Sequence, residues 1–469
     1  MGLSDMKRYF TGYLPVMLFA ALGLRGAPLE ELWEERVATV VTVEFFVEGE
    51  LERQATQTFG TVIDDQGTVI FPSDVISPKA AVTQLTDFRI YRAGAEAADY
   101  FLATFLGHDE FTGWAFVRVD DGAAARMLVP ITRFESAPPP RIAQELWGIG
   151  LRKKEDGFAP YFMSGRVSLI QRLPQLTALL SRSVTGTSLP AFDLEGRFVG
   201  LGVSGFGQAY LQFSSRDRGG LPVVMIDPDE CAALLLSNEV LPYLDRIPQY
   251  SSGRPMVWLG TSGLQPLDPE VATYLGLDNS AALVISDVLA NSPAEAVGLQ
   301  ARDVIVALEG NPLPGLKPAR AVVDYFQREV DRRRPGDVMT LGVIRGGERL
   351  TIQAELKDAP PLPRELPRRY FERLGFTLCD FAYVDGAARR VGVADHEGVI
   401  VNFTKPGGPA ALAGLQVDDW IRRIGAVEIR GLDDAMNALA FIEEGSGSQS
   451  CLIVVDRAGQ SVQLTLKTN

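Results

Sequence analysis

Short apolar runs punctuated by Gly, Pro, Asp and Ser fill the chain from about residue 37 to 247, at 39–47, 60–63, 68–71, 115–119, 146–149, 198–203 and 223–226. Runs of that length bounded by turn residues read as strands, and their steady succession predicts an all-β barrel or sandwich. Ser136-Ala-Pro-Pro-Pro140 breaks the rhythm near its middle, as a crossover between two barrels should. From Asp229 to Leu244 the pattern turns helical and predicts a closing helix.

Beyond this β-rich body the chain repeats itself. Ser292-Pro-Ala-Glu-Ala-Val-Gly298-Leu-Gln-Ala-Arg-Asp303-Val-Ile305 matches Gly408-Pro-Ala-Ala-Leu-Ala-Gly414-Leu-Gln-Val-Asp-Asp419-Trp-Ile421, and the pairs Leu259-Gly260 and Leu374-Gly375 precede the copies at nearly the same offset. Each copy is followed by a helical stretch and a closing strand pair, 339–344 with 349–354 and 451–455 with 461–466. Such self-similarity predicts two homologous modules. Pro360, Pro361, Pro363 and Pro367 between them predict a stiff linker. The division is an N-terminal segment 1–27, a body 36–247, modules at 254–358 and 371–468, and a linker 359–370.

Several segments carry a family likeness. Gly60-Thr-Val-Ile-Asp-Asp-Gln-Gly-Thr-Val-Ile-Phe-Pro-Ser-Asp74-Val75 resembles, without a gap, the G-x-I-I-x-x-x-G-x-I-L-T-N-x-H-V of HtrA/DegP-type serine proteases. The stretch Leu106-Gly-His-Asp-Glu-Phe-Thr-Gly113-Trp-Ala-Phe-Val-Arg-Val119 resembles V-G-x-D-x-x-T-D-L-A-L-L-K-V, and 144–150 resembles E-W-V-x-A-I-G. Val184-Thr-Gly-Thr187-Ser-Leu-Pro190 is similar to P-G-N-S-G-G-P, and 220–227 to the G-F-A-I-P-I run. The repeats look like the PDZ domains of the same family. The resemblance implies a mostly β, multidomain chain: a trypsin-like double β-barrel followed by two PDZ domains of α+β type.

Carried across residue by residue, the family's catalytic His falls on Asp74, its Asp on Gly113 and its Ser on Thr187. The mechanism needs a hydroxyl deprotonated by an imidazole that a carboxylate holds in one tautomer. A carboxylate is a poor proton acceptor at pH 7, Gly113 has no side chain, and the Thr187 hydroxyl is crowded by its β-methyl. A one-residue slip makes Ser188 the alternative nucleophile. Thr185, Ser188 and Leu189 replace glycines of the oxyanion loop, which argues against a working hole. The remaining histidines, His108 and His396, match no triad position. The resemblance therefore implies a degenerate protease fold; the alternative is a serine endopeptidase acting through Thr187 or Ser188.

PDZ domains add an extended peptide to a strand edge and receive its terminal carboxylate on the backbone N–H groups of an x-Φ-G-Φ loop. Arg373-Leu374-Gly375-Phe376 fits that loop fully, with 398–403 and 432–442 resembling groove-bordering elements. Trp258-Leu259-Gly260-Thr261 fits with a polar last member. The candidate peptide-binding residues are thus Leu259, Gly260, Thr261, Leu374, Gly375 and Phe376. The partners implied are C-termini or extended segments of envelope proteins, together with a homo-oligomer (a trimer, by family likeness) or a hetero-oligomer with an active relative.

Composition narrows the rest. The balance of 45 basic against 59 acidic side chains, −14 overall, makes nucleic acid a poor partner. Lys7 and Arg8 precede an apolar run over 9–24, which reads as a signal peptide or an uncleaved anchor and directs the body to the periplasm or cell exterior. Cys231, Cys379 and Cys451 are widely spread and read as buried small hydrophobes. Asp64-Asp65-Gln-Gly67 is a turn sequence before it is a metal site, and neither a metal nor any other cofactor is expected.

Overall fold

The apolar runs of the body close into two six-stranded antiparallel barrels in the computed structural model. It describes residues 28–468 apart from 79, 174, 204–208, 213–222, 227–231, 254–255, 275, 278–280, 393–394 and 446. The expected export segment and Cys231 lie outside the described residues, as does 220–227 except for one strand. Among the described residues no helix is long and apolar enough to cross a membrane.

A short helix, α1 (Leu29–Val37), leads into the first barrel. Its strands are β1 (Val40–Glu48), β2 (Arg53–Val62), β3 (Thr68–Pro72), β4 (Leu85–Arg92), β5 (Phe101–Asp109) and β6 (Trp114–Val119), ordered β1-β2-β3-β6-β5-β4. The second barrel contains β7 (Glu145–Leu151), β8 (Pro160–Gln171), β9 (Thr177–Leu180), β10 (Pro190–Phe192) and β11 (Phe198–Val203). Beyond them, β12 (Ala209–Gln212) and β13 (Val223–Ile226) pair only with each other, and β14 (Ala233–Leu236) closes the barrel in the order β10-β11-β14-β9-β8-β7. In both barrels the third strand meets the sixth and the first meets the fourth, so the body is one topology used twice. The Pro-rich joint falls between β6 and β7, as the sequence predicts.

The expected closing helix over 229–244 is not what forms. Ala-Leu-Leu-Leu at 233–236 fills the sixth strand slot between β11 and β9, and among the described residues of that stretch only the turns Ser237–Val240 and Leu241–Tyr243 are helical. Leucine suits a helix by propensity, but here the barrel's open edge decides.

Each barrel packs its own interior: Val41, Phe45, Phe71, Phe88 and Val117 in the first, Leu146, Val167, Leu180 and Leu234 in the second. A third cluster, with Ile70, Trp114, Trp147, Phe192 and Phe198, fills the interface between them. A buried polar tie spans the same interface. Lys154 Nζ donates to both oxygens of Glu44, at 2.8 and 3.1 Å, and the Tyr91 hydroxyl donates at 2.7 Å. Burial alone raises the Glu44 pKa, but these donors outweigh it and hold the carboxyl below its ordinary range.

The first module carries a sheet ordered Gln265–Pro266, Leu283–Val284, Val304–Leu308, Val338–Arg345, Glu348–Glu355, with the helix Ala321–Asp331 packed on it. The second has Arg368–Phe371, Phe376–Asp380, Val399–Thr404, Trp420–Ile424, Gln449–Arg457, Gln460–Thr468, and the helix Leu432–Glu444. The repeat in sequence is a repeat in hydrogen bonding. Arg345 forks onto Asp303 at 2.7 and 2.6 Å and reaches Gly298 O at 2.8 Å; Arg457 forks onto Asp419 at 2.7 and 2.6 Å and reaches Gly414 O at 2.8 Å.

Candidate functional site

The positions that the family likeness gives to the triad fall on both barrels, Asp74 and Gly113 on the first and Thr187 on the second. Strand β3 runs into a single 3-10 turn, Ser73–Val75, that carries Asp74. The Ser73 N–H donates to Gly113 O at 2.9 Å, and Pro72 pairs with Trp114, so the first two positions are adjacent. Asp74 is exposed, and its carboxylate makes no hydrogen bond among the described residues. Gly113 sits at φ +69 with nothing within 4 Å of where a Cβ would stand.

Thr187 is half-buried on the loop between β9 and β10, bridged to Gly202. Its hydroxyl also makes no hydrogen bond among the described residues. Ser188 is buried at φ +56, a backbone conformation that glycine adopts more readily. Its N–H donates to Gly202 O at 2.7 Å, and its carbonyl accepts the Thr61 hydroxyl of the first barrel at 2.6 Å. Upstream, the Thr185 hydroxyl is spent on Ile149 O at 3.0 Å, and the Thr185 carbonyl accepts Ser183 Oγ at 2.8 Å. The Thr185 side chain, where the family has a glycine, thus stitches the loop to strand β7.

Neither histidine serves this cleft. His108 is buried with Nε2 3.2 Å from Glu110 Oε1. Burial, with the Arg364 guanidinium beside it, pulls its pKa down to about 4, so it is neutral at pH 7. His396 packs against Phe381 and Tyr383 in the second module. Asp109 is structural: it accepts from Arg246 at 2.7 and 2.9 Å and from the Thr112 hydroxyl at 2.9 Å. Asp64 caps its hairpin by accepting the Gln66 and Thr68 N–H groups at 3.0 and 2.9 Å, the turn role the sequence predicts. Among the described residues no group of His, Cys, Asp and Glu gathers as a metal site. Cys379 and Cys451 are buried, and burial pushes the Cys379 thiol up to about 11.

The two x-Φ-G-Φ loops have one design. Leu259 O and Gly260 O accept from Ala294 and Leu289; Leu374 O and Gly375 O accept from Ala410 and Lys405. Their glycines hold φ +88 and +73, which the tight turn requires. Leu259, Leu374 and Phe376 are core side chains, so these three residues offer a ligand only their backbone. The settings differ. Thr261–Ser262 pairs with Asp287–Val288 on one edge, and its other edge has no strand among the described residues. Phe376–Asp380 is paired on both edges, with Val399–Thr404 and with Arg368–Phe371. The segment 398–403, expected beside the groove, therefore lies behind its strand. The expected linker ends early, because Arg368 already begins a strand. That strand is an element sequence reasoning missed; the aromatic pair Tyr370-Phe371 was its only signal.

Comparison with known proteins agrees with this architecture. The PDZ domain family matches residues 266–356. The periplasmic serine endoprotease DegP of Escherichia coli (strain K12) is 31% identical over 374 residues, 77% of this chain and 67% of that protein. A probable periplasmic serine endoprotease, DegP-like, of Chlamydia pneumoniae is 25% identical over 224 residues, 48% of this chain, and the chain spans only 42% of that relative's length. Among solved structures, a variant of the HtrA-type protease AlgW with a decapeptide superposes with a TM-score of 0.50 at 16% identity, over 71% of this chain and 98% of that one. At that identity the likeness concerns the fold.

Proposed function

The chain belongs to the HtrA/DegP-like family, and from that membership we propose that it is a pseudoprotease, an exported scaffold that binds extended peptide segments and does not cleave them. The observation that carries this reading is Asp74. Where acyl transfer needs an imidazole base stands an exposed carboxylate without a hydrogen-bond partner among the described residues, beside a glycine that offers it no orienting group. Loss of triad members lowers turnover by about 10⁴- to 10⁶-fold in enzymes of this mechanism. The ligands are C-termini or extended stretches of envelope proteins, and the roles that follow are adaptor or quality-control factor in the periplasm. Assembly as a trimer, or with an active relative, belongs to the same reading.

The alternative is a serine-type endopeptidase acting through Thr187 or Ser188. It is favoured by the endoprotease relatives and by the half-buried Thr187 hydroxyl. Unfolded casein incubated with the full chain separates the two. The scaffold reading expects casein to co-elute with the protein on gel filtration and to remain intact by mass spectrometry. Fragments that appear with the native chain and vanish in the Thr187→Ala, Ser188→Ala variant would establish the alternative.

A further inference from the structure

We infer that residues 368–371 are a built-in ligand of the second module, closing its groove to outside peptides, while the first module stays open. This rests on the reading that the modules bind peptides and adds which of them does so. Strand Arg368–Phe371 lies antiparallel on the outer edge of Phe376–Asp380, in the register Arg368↔Cys379, Arg369↔Leu378, Tyr370↔Thr377, Phe371↔Phe376. Helix Leu432–Glu444 packs against both strands, so the added strand occupies the trough between helix and sheet. An incoming peptide would use the same edge, with its C-terminus toward the 373–376 loop.

The internal strand also meets the loop as a peptide end would. Phe371 is 3% exposed, stacks on Phe376 with ring centroids 5.3 Å apart, and shares a core with Leu374, Leu439 and Ile442. The Phe371 carbonyl accepts the Gly375 N–H at 2.7 Å, and the Glu443 carboxylate accepts the Arg373 N–H at 3.1 Å. Two loop donors that could receive a terminal carboxylate are thus already satisfied. The Arg373 guanidinium fastens the loop to the end of the helix through Ile442 O, at 2.6 Å, and Gly445 O. The first barrel braces the arrangement from outside: Arg368 Nη1 donates to Gln84 at 3.2 Å, and the Thr377 hydroxyl to Glu50 at 2.7 Å.

The first module supplies the contrast within the same chain. Its corresponding segment, Val257–Trp258, pairs with Lys357–Asp358, and no strand among the described residues covers the outer edge of Thr261–Ser262. Among the described residues the N–H groups of Leu259 and Gly260 donate to nothing. A tethered segment competes at an effective concentration of about a millimolar or more. An outside peptide therefore binds the second module more weakly by the fraction of time the strand is released.

The test uses the full chain and a fluorescein-labelled peptide with the sequence of residues 362–371, ending in a free carboxylate at the phenylalanine. Hydrogen–deuterium exchange over 376–380 and 261–262 locates the binding, and anisotropy measures it. In the native protein the amides of 369–371 should be protected by at least about a hundredfold, and the peptide should add no protection at 376–380. The Arg369→Gly, Tyr370→Gly variant, which spares the Phe371 anchor, should gain peptide protection at 376–380 and bind there at least about tenfold tighter. Native amides 369–371 exchanging at the rate of an unfolded chain would overturn the inference without recourse to any variant. So would peptide protection at 376–380 that is equal in both proteins, or its absence from a variant with a native circular dichroism spectrum. Protection at 261–262 reports on the scaffold reading separately.

Discussion

Arg246→Leu is expected to destabilise the body by about 3–5 kcal/mol, because it strands a carboxylate that cannot reach water. Asp109 is 2% exposed and sits in the fork of the Arg246 guanidinium, with Thr112 supplying a hydroxyl and an N–H. Removing the arginine takes away both charge-assisted bonds and leaves the desolvated charge behind. The damage extends beyond one pair. Arg246 stands 4.6 Å over the Phe111 ring, and Arg328, from the first module's helix, stands 4.7 Å over the same ring. Arg328 also bonds Glu239 at 3.0 Å, so the module's helix is fastened both to the turn carrying Phe111 and to the end of the second barrel. Urea unfolding followed by the fluorescence of Trp114 and Trp147 measures the loss. The Asp109→Leu, Arg246→Leu double variant should recover part of it, since replacing both partners removes the unpaired charge. A loss below about 1 kcal/mol in the single variant would mean that the pair is not structural.

Arg345→Met and Arg457→Met are expected to cost nearly the same, about 3 kcal/mol each, and each in its own module. Asp303 and Asp419 are both 1% exposed, and each also accepts the N–H of the glutamine three residues before it, at 2.9 and 2.8 Å. Because the forks match, the residual buried carboxylates match too. Differential scanning calorimetry should show one transition moving in each variant, and a different one in each. Costs that differ by more than about 2 kcal/mol would contradict the structural equivalence of the repeats.

Much of this architecture is legible in the sequence because local signals agree with the global fold. The 60–75 segment encodes a hairpin through Asp64 and Gly67, and that hairpin forms; the repeat predicts two like modules, and both form, with matching Asp–Arg forks that only the structure reveals. What escaped depends on partners far along the chain. Ala-Leu-Leu-Leu at 233–236 is a strand because β9 and β11 leave it a slot, which no local periodicity records. Arg368–Phe371 carries two charges and follows a proline, so it reads as linker until the edge of Phe376–Asp380 is seen to need cover. The candidate site divides the same way. The residue types at Asp74, Gly113 and Thr187 are visible in the sequence. That nothing lies within 4 Å of where a Gly113 Cβ would stand, and that Arg368–Phe371 covers one edge of Phe376–Asp380, required coordinates.

Labelling with a fluorophosphonate probe tests the loss of catalysis most directly, because the probe needs only an activated hydroxyl and no particular peptide. The full chain should label no faster than the Thr187→Ala, Ser188→Ala variant, both at the background rate of unactivated hydroxyls. Stoichiometric labelling of the native chain, mapped to Thr187 or Ser188 and absent from the variant, would contradict the pseudoprotease account.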